Sequence, residues 1–409
     1  MKQFSLPQLR WYGRKSLDIN FPDNWKVDYL LPRGADKKPL TDSEIVSSLR
    51  NPIGTEPLRE LARGSKEVAI IFDDFTRITP VGEIALHILD ELHAAGVVDD
   101  QVRFICALGA HGAHDMNMLR KKLGDDIVRN YPVYNHNCYE NCTQVGVTSQ
   151  GTPIKLNNEY LDCDLRIGIG GISPHVQTGF GGGGKIILPG ISHIDAITYF
   201  HTVVEERNAE HLGLGNYKGN LMNKDFSEAV VIGKLDFKVD AIFNLQGDIC
   251  KLFAGDPTAE YLEGCSYAID HYATPPSVGN DVAIVNAYGK ANEMAIAGLI
   301  ALSCIKIEKA IVVFVYNAPE GQITHYLFRS FGKRYGGKRY QYKEKFLETI
   351  KLVSFTEYPD RTSTDWFVDP REVEFVTTWD DVLKMISDAF PDGGKAVVVP
   401  DGTMQYFRA

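Results

Sequence analysis

The feature that most constrains the fold is the alternation of short β-branched segments with amphipathic helical segments. Residues 68–72 have the pattern of a buried strand, and the apolar positions that follow recur at helical spacing as far as Gly96. Further strands are predicted at residues 102–107, 165–172, 281–287, 310–316, 373–377 and 396–399. Because parallel strands need a crossover connection, usually a helix, this alternation is typical of parallel sheets. The sequence therefore predicts an α/β fold with mainly parallel sheets.

A turn-rich segment divides the chain into two predicted domains. Residues 274–280 read Thr-Pro-Pro-Ser-Val-Gly-Asn, and the alternation restarts beyond them. We therefore predict an N-terminal α/β domain over residues 1–273 that carries most of the candidate functional residues. A C-terminal α/β domain over residues 274–409 should contribute to the substrate cleft, with the active site between the two domains. Ser192-x-x-Asp195 and Thr378-x-x-Asp381 each predict a helix start, and the first helix should run to about Arg207.

Composition excludes several classes of protein. The chain is 44% hydrophobic and 23% charged, which is ordinary for a soluble globular protein, and its net charge of −10 argues against a nucleic-acid partner. Residues 1–25 contain no continuous apolar stretch, so we expect neither a signal peptide nor a membrane span there. Seven scattered cysteines are interpreted as reduced thiols of a cytoplasmic protein. A run of seven basic residues between positions 329 and 345 is expected to guide an anionic small substrate rather than bind RNA.

Reactive side chains follow three of the predicted strands. Asp74, Thr76 and Arg77 follow the first strand, His111 follows the second, and His175 follows the third. In open α/β sheets, ligands bind at the carboxyl ends of the strands, because the loops there converge. Each of these groups alone is compatible with a structural role. Their coincidence predicts a functional site at this edge of the sheet.

The string Gly179-Phe-Gly-Gly-Gly-Gly-Lys185 is the densest signal in the sequence. Its five glycines in six positions allow the backbone to approach a ligand and to point N–H groups at an anion. The string also fits the phosphate-loop pattern, but Ile186 replaces the Ser or Thr that holds magnesium. Two alternatives therefore stay open: a nucleotide phosphohydrolase, and a non-catalytic protein that binds a phosphorylated ligand.

Lys185 and His201 are candidate cofactor and metal contacts. Lys185 is flanked by glycines and apolar residues, and burial there would favour a neutral, nucleophilic amine. The alternative is a lysine that extends to solvent. Ile194 and Ile197 share the helical face of His201, so this imidazole should point inward, as a metal ligand or as a hydrogen-bonded core histidine.

Taken together, the motifs resemble the nickel-dependent lactate racemase family. Residue types and spacings both agree in Asn51-Pro-Ile-Gly-Thr-Glu-Pro-Leu58, Asp74-x-Thr-Arg77, Gly109-x-His111, Pro174-His175, Gly183-Gly-Lys185-x3-Pro189-Gly190 and His201. The resemblance covers roughly residues 40–210 and is far more specific than any one motif. It implies a racemase or epimerase that inverts C2 of a 2-hydroxy acid.

The resemblance also implies a cofactor, the nickel-pincer nucleotide, which is a nicotinate-derived mononucleotide with two sulfur arms. In that family the lysine matching Lys185 is joined to the cofactor through a thioamide, and the histidine matching His201 ligates nickel, a metal that favours square-planar sites. Thr76 and the glycine loop, Gly181, Gly182, Gly183 and Gly184, would complete the cofactor site. Proteins that build and load the cofactor are the implied partners.

Catalytic roles follow from the same resemblance. The histidines matching His111 and His175 form the acid/base pair, and the arginine matching Arg77 helps to hold the substrate carboxylate. Asp74 would orient one imidazole. The C2 hydrogen of a 2-hydroxy acid is poorly acidic, so it leaves more easily as hydride once the hydroxyl proton has gone to a base. Each enantiomer then needs its own base, and histidine titrates near neutrality.

One segment departs from the family pattern. Lactate racemase has a Tyr-Gln-x-x-Lys stretch whose polar residues approach the substrate, and Met294, Ala295 and Gly298 align with those three positions. None of the three donates a hydrogen bond from its side chain, although Lys290 or Asn292 would be able to compensate. We therefore expect a 2-hydroxy acid other than lactate, either larger or more hydroxylated.

Overall fold

The computed structural model describes residues 2–327, 348–366 and 373–408. The basic run at residues 329–345 lies outside the described residues, so its predicted role stays a prediction. The described strands are Lys2–Gln8, Lys15–Phe21, Lys26–Tyr29, Val68–Asp73, Val102–Ala107, Val133–Asn135, Cys142–Val147, Pro153–Asn157, Leu165–Gly171, Pro174–His175, Gly179–Phe180, Phe237–Phe243, Ile249–Gly255, Ala273–Thr274, Val282–Asn286, Ala310–Val315, Ile350–Phe355, Glu374–Val376, Lys395–Val399 and Tyr406–Phe407.

Helices connect most of these strands, as the alternation predicts. The α-helices are Asp42–Arg50, Leu58–Leu61, Val81–Ala94, Met116–Leu123, Asp125–Asn130, Asn158–Leu161, Ile194–Tyr199, Glu205–Arg207, Leu221–Gly233, Ala259–His271, Gly298–Cys304 and Trp379–Ala389. Short 3-10 segments occur at Asp99–Gln101, Gly183–Ile186, Ala209–His211, Ala291–Ala297 and Arg361–Trp366, and a π-helical turn at Phe200–Val204. Within the described ranges, no helix combines the length and the apolar character needed to cross a bilayer.

The first sheet has six strands and carries most of the predicted site. Their order is Ile249–Gly255, Phe237–Phe243, Leu165–Gly171, Val68–Asp73, Val102–Ala107 and Val133–Asn135. Only the contact between the first two is antiparallel; the other neighbours are parallel. The central strand, Val68–Asp73, is buried over its first five residues, because helices cover both faces of a parallel sheet. The predicted parallel α/β class is confirmed.

The second sheet also has six strands, and all of its neighbours are parallel. Its order is Glu374–Val376, Ile350–Phe355, Ala310–Val315, Val282–Asn286, Lys395–Val399 and Lys26–Tyr29. The strand Lys26–Tyr29 comes from the N-terminal end of the chain, and Leu6, Ile19, Phe21 and Trp25 pack into the core beneath this sheet. The turn between Lys2–Gln8 and Lys15–Phe21 contacts the first half of the chain, since the Trp11 ring centroid lies 5.2 Å from that of Phe75. The three strands of the first thirty residues nevertheless lie with the second sheet, whereas the predicted division placed them in the first domain. Burial of their apolar side chains holds them on the second sheet.

The helix that carries His201 begins one residue later than predicted. His193 is its N-cap and accepts a hydrogen bond from the Asp195 N–H at Nδ1, over 3.1 Å. Ser192 does not cap the helix, because its hydroxyl donates to the Ile187 carbonyl over 2.7 Å. The helix then widens into the π turn Phe200–Val204, a feature that is frequent at functional sites. The predicted Thr378 cap is confirmed.

Candidate active site

A single cleft between the two sheets brings most of the predicted site residues together. Its cavity has a volume of about 430 Å³ and opens at the carboxyl ends of the first sheet's strands. The predicted residues that line it are Asp74, Arg77, His111, His175, Gly181, Gly182, Gly183, Lys185 and His201. The second half of the chain adds Lys290, Glu293, Ala295 and His325. The cleft position of the site is as the sequence predicts.

Asp74 fixes the orientation of the His111 imidazole. The Asp74 side chain is buried, and its Oδ2 atom forms a short hydrogen bond with Nδ1 of His111. Burial alone would raise the pKa of Asp74, but His111 and Arg77 overcome this and hold that pKa well below its usual value. The carboxylate is therefore charged and accepts the Nδ1 proton. This leaves Nε2 of His111 as the basic nitrogen.

Thr76 positions its neighbours and does not reach the cavity. It is 1% exposed, and its hydroxyl donates to Oδ1 of Asp74 while accepting from Nη1 of Arg77 over 2.7 Å. The same Nη1 donates to Oε2 of Glu293 over 2.7 Å. The prediction that Thr76 touches the cofactor is not supported by this position, because its hydroxyl is used between Asp74 and Arg77.

His175 and Lys185 contact each other across the cavity wall. Nζ of Lys185 lies 2.8 Å from Nε2 of His175. Burial and the cations Arg77 and Lys290 lower the pKa of Lys185 well below its usual value. Burial and the Lys185 and Lys290 amines lower the pKa of His175 in the same way. The charged forms of both groups are therefore disfavoured, which favours a neutral, nucleophilic amine on Lys185.

His201 presents one defined nitrogen for a ligand role. Its ring is buried, and Nδ1 lies 2.9 Å from the carbonyl oxygen of Ile197, one helical turn earlier. A proton on Nδ1 that is donated to this carbonyl leaves a lone pair on Nε2, which is the usual arrangement of a metal-ligating histidine. Across the part of the chain that the structure describes, no cluster of three His, Cys, Asp or Glu side chains forms a metal site.

The glycine loop is not a set of free N–H groups. The Gly181 N–H donates to the Ser173 carbonyl over 2.7 Å, and the Gly183 N–H donates to Oδ2 of Asp240 over 2.6 Å. The expectation that these amides cradle an anion is therefore wrong for both. Gly184, unlike Gly181 and Gly183, does not line the cavity. A Cβ there would lie 2.7–2.8 Å from Phe226 and Val230 of the helix Leu221–Gly233. It is glycine for packing, not for ligand contact.

Gly181 differs from the other loop glycines. A Cβ on Gly181 would meet no protein atom nearer than 3.7 Å, whereas one on Gly183 would lie 2.5 Å from the Tyr261 ring. The backbone of Gly181 has no positive φ, so neither conformation nor protein packing requires glycine there. Because Gly181 lines the cavity, its missing side chain leaves room for a ligand.

A buried charged pair under the loop was not predicted. Lys238 and Asp240 are both 0% exposed and 2.5 Å apart, and Lys238 also lines the cavity. Burial and the adjacent Asp240 raise the pKa of Glu260 well above its usual range, which favours the protonated form of this second carboxyl. The available signal was the strand Phe237–Phe243, in which two charged residues at positions i and i+2 interrupt an apolar run and face the same side.

The C-terminal half contributes a carboxylate that the sequence reasoning also missed. Oε1 of Glu293 lies 3.5 Å from Nε2 of His111, on the opposite side of the ring from Asp74. Burial would raise the pKa of Glu293, but Arg77 and His111 lower it below its usual value, so the carboxylate is charged. The ring of His325 lies 5.0 Å from that of His111. Glu293 follows the parallel strand Val282–Asn286, so the strand-end rule that found His111 would have found it too.

The segment that departs from the family pattern lies partly in the cavity. Ala295 lines it, whereas Met294 and Gly298 are not among the residues that do. Lys290 is 3% exposed and lines the cavity, where burial and Arg77 lower its pKa to about 8. Asn292 faces a separate, smaller cavity. Of the two residues expected to compensate for the missing polar groups, only Lys290 is in a position to do so.

Comparison with known proteins gives consistent matches. Residues 12–213 match the model of the lactate racemase N-terminal domain. The lactate racemase of Thermoanaerobacterium thermosaccharolyticum is 29% identical over 282 residues, which span 68% of this chain and 66% of that protein. The lactate racemase of Lactiplantibacillus plantarum is 26% identical over 419 aligned residues, which span 96% of this chain and 97% of that protein.

Two solved structures share the fold over nearly the whole chain. The apoprotein of the Thermoanaerobacterium thermosaccharolyticum lactate racemase superposes with a TM-score of 0.74 at 22% identity, covering 100% of both chains. A protein from Thermotoga maritima gives a TM-score of 0.68 at 17% identity, covering 91% of this chain and 100% of its own. These structural matches show the fold, and the sequence matches extend to the site motifs. Residues 12–213 therefore belong to the family of lactate racemase N-terminal domains, and the chain as a whole is similar to lactate racemases.

Proposed function

We propose that this chain is a racemase or epimerase that inverts C2 of a 2-hydroxy acid with a nickel-pincer nucleotide attached to Lys185. The observation that carries the proposal is the placement of two differently held imidazoles in one cavity. His111 is held by Asp74, and His175 by Lys185. Inversion needs an acid or base for each enantiomer, and this arrangement supplies both. The two curated relatives carry the name lactate racemase.

The residues present fit the proposed cofactor in three ways. Lys185 is surrounded by groups that disfavour its ammonium form, so a neutral covalent linkage suits this position. The hydrogen bond from Nδ1 of His201 to the Ile197 carbonyl fixes the ring, so Nε2 is the nitrogen that would bind a metal. The absent side chain at Gly181 leaves room beside the loop. When bound, the cofactor would supply a ring that accepts and returns a hydride at C2 of the substrate.

The chain's own residues would handle the carboxylate and the proton. Nε2 of His111 would take the hydroxyl proton of one enantiomer, and His175 would do so for the other. All three hydrogen bonds that the Arg77 guanidinium makes to described residues use Nη1, so Nη2 is available for the substrate carboxylate. Lys290 would add a second cation, because it reaches the same cavity. The enclosure of the site strengthens each of these charge interactions.

We further propose that the substrate is not lactate itself. Ala295 faces the cavity, and Met294 and Gly298 offer no hydrogen bond where lactate racemase has polar residues. In addition, the Glu293 carboxylate lies 3.5 Å from Nε2 of His111, the nitrogen that the substrate hydroxyl would meet. Both features favour a substrate with more polar groups than lactate has.

The two alternatives based on the glycine loop are less well supported. A phosphate loop points its backbone N–H groups at the ligand. Here the Gly181 and Gly183 amides are both bonded within the protein, the second of them to the Asp240 carboxylate, so neither is available to a phosphate. A phosphohydrolase or a phospholigand-binding protein is therefore disfavoured at this loop.

The proposal is tested with protein produced in a cell that makes the cofactor. Intact mass should show a covalent adduct that is absent from Lys185→Ala. Enantiopure 2-hydroxy acids and sugar acids should lose optical purity at C2. In D2O the C2 hydrogen should be retained during inversion, because hydride does not exchange with solvent. Inversion with solvent deuterium at C2 would overturn the hydride route, and ligand binding without any inversion would overturn the enzymatic function.

A further inference from the structure

We propose that Glu293 determines substrate specificity by selecting a hydrogen-bond donor on C3 of the 2-hydroxy acid. A C3 that carries a hydroxyl or ammonium group would be favoured over the methyl C3 of lactate and over a C3 that carries a second carboxylate. This inference rests on the proposed function, since it takes the C2 hydroxyl to be the group that meets His111. It concerns a residue for which no motif in the sequence assigned a role.

The position of Glu293 relative to His111 would bring its carboxylate close to C3 of the substrate. Nε2 of His111 is the nitrogen that would accept the C2 hydroxyl proton, and Oε1 of Glu293 lies 3.5 Å from it. A hydroxyl within hydrogen-bond distance of this nitrogen places C2 next to the carboxylate. The substituent on the adjacent carbon, C3, is then the part of the substrate within reach of Oε1.

The two oxygens of the Glu293 carboxylate have different surroundings. Oε2 is satisfied by Arg77 over 2.7 Å. Oε1 faces a nitrogen that has no proton in the neutral imidazole, because the ring proton is on Nδ1 and is donated to Asp74. Two acceptors therefore face each other over a gap that is too long for a hydrogen bond. A donor from the substrate would satisfy Oε1, and a methyl group would leave it desolvated and unpaired.

The charge of Glu293 supports the same preference. Glu293 is 5% exposed and is held ionised chiefly by the adjacent Arg77 guanidinium. A buried carboxylate accepts strong hydrogen bonds from hydroxyl and ammonium groups, and it repels a second carboxylate at close range. Because Arg77 binds Glu293 through Nη1 and leaves Nη2 for the substrate, Glu293 has no need to leave when the substrate carboxylate arrives. It remains in place as a fixed acceptor.

Four acids that differ only at C3 test the proposal. Lactate has a methyl group, glycerate a hydroxymethyl group, 3-amino-2-hydroxypropanoate an ammonium group and malate a second carboxylate. Each is assayed for inversion with cofactor-loaded protein and, separately, for equilibrium binding to cofactor-free protein by calorimetry. The variants are Glu293→Gln, which keeps an acceptor for Arg77 without the charge, and Glu293→Met, which removes both.

A matched control is Glu205→Gln. Glu205 also lines the cavity, where its carboxylate accepts a hydrogen bond from Gln177. Removing its charge changes the overall potential of the cavity without touching the acceptor beside His111. A general electrostatic effect would therefore appear in this variant as well, and a local one would not.

The expected result is a ranking in which glycerate and the ammonium compound exceed lactate at least ~10-fold and malate is weakest, by the strength of a hydrogen bond to a charged group. Glu293→Gln should relax the rejection of malate and weaken the ammonium preference, and Glu293→Met should abolish the glycerate preference. Glu205→Gln should keep the wild-type ratios.

Two outcomes overturn the inference. Ratios among the four acids that stay within ~2-fold of wild type in both Glu293 variants would show a merely structural carboxylate, as would an equal loss for all four. Equal shifts in Glu205→Gln would show a general field effect. If the four acids bind with the proposed preference but loaded protein inverts none of them, the assignment of Glu293 is supported and the proposed function is overturned. The two failures are therefore distinguishable.

Discussion

Replacement of Asp74 by asparagine tests the acid/base assignment most sharply, because the two carboxylate oxygens have different partners. Oδ1 accepts from the Thr76 N–H over 3.1 Å and from the Thr76 hydroxyl, whereas Oδ2 faces Nδ1 of His111. In Asp74→Asn the amide oxygen would stay with the two Thr76 donors. The amide NH2 would then face His111 and donate to Nδ1. The imidazole proton would move to Nε2 and remove the base that the substrate hydroxyl needs.

The magnitude follows from what is lost. A hydrogen bond to a charged group contributes about 1.5–3 kcal/mol, which is roughly 10- to 150-fold in rate. Loss of the correct tautomer adds part of the ~10²–10⁴-fold that a positioned acid or base supplies. We therefore expect kcat/KM to fall by ~10²–10⁴ for Asp74→Asn. For a racemase, the equilibrium constant of one requires the same loss in both directions.

The assay is the polarimetric rate from each pure enantiomer, with cofactor occupancy checked by intact mass. The thermal midpoint should change little, because the Thr76 contacts are kept. Asp74→Glu serves as the matched control for charge, since it keeps the carboxylate but displaces it by one methylene. Rates within ~3-fold of wild type in loaded Asp74→Asn would refute the assignment of His111 as a base held by Asp74.

Three further predictions concern the cofactor and the substrate clamp. Gly181→Ala should fold with an unchanged thermal midpoint and yet carry less cofactor by intact mass, since its methyl group meets only the cavity; normal loading would contradict the assignment of this space to the cofactor. His201→Ala should keep the fold and lose stoichiometric nickel by elemental analysis, and full nickel content would exclude the ligand role. Lys290 is a cation below its pKa of about 8 and neutral above it, so KM for a 2-hydroxy acid should rise as pH passes through 8. Lys290→Met should have a high KM that lacks this rise, and an unchanged profile would remove Lys290 from the clamp.

Local rules predicted the parts of the site that follow single strands. Asp74, His111 and His175 lie where the strand-end rule places them, since parallel strands bring their carboxyl ends to one edge. The same rule does not say which way a side chain faces. Thr76 and Gly184 belong to the right segments, but one is bonded between its neighbours and the other is packed against a helix.

Contacts between distant segments were beyond these rules. The pairing of Glu293 with Arg77 joins residues 216 positions apart and depends on how the second sheet closes over the first. The packing of the strands Lys2–Gln8, Lys15–Phe21 and Lys26–Tyr29 with the second sheet depends on the same long-range geometry. At the His201 helix, Ser192 and His193 were both able to cap, and the choice depended on whether the serine hydroxyl was already bonded to Ile187. Sequence periodicity carries no information about such competition.

Anomalous diffraction at the nickel edge, from crystals of cofactor-loaded protein, tests the central claim most directly. We predict one nickel peak at about 2 Å, a typical metal–imidazole distance, from Nε2 of His201 and continuous density from that metal's ligand group to Nζ of Lys185. Nickel bound elsewhere on the protein, or density around Lys185 that ends at a free amine in fully active protein, would contradict it.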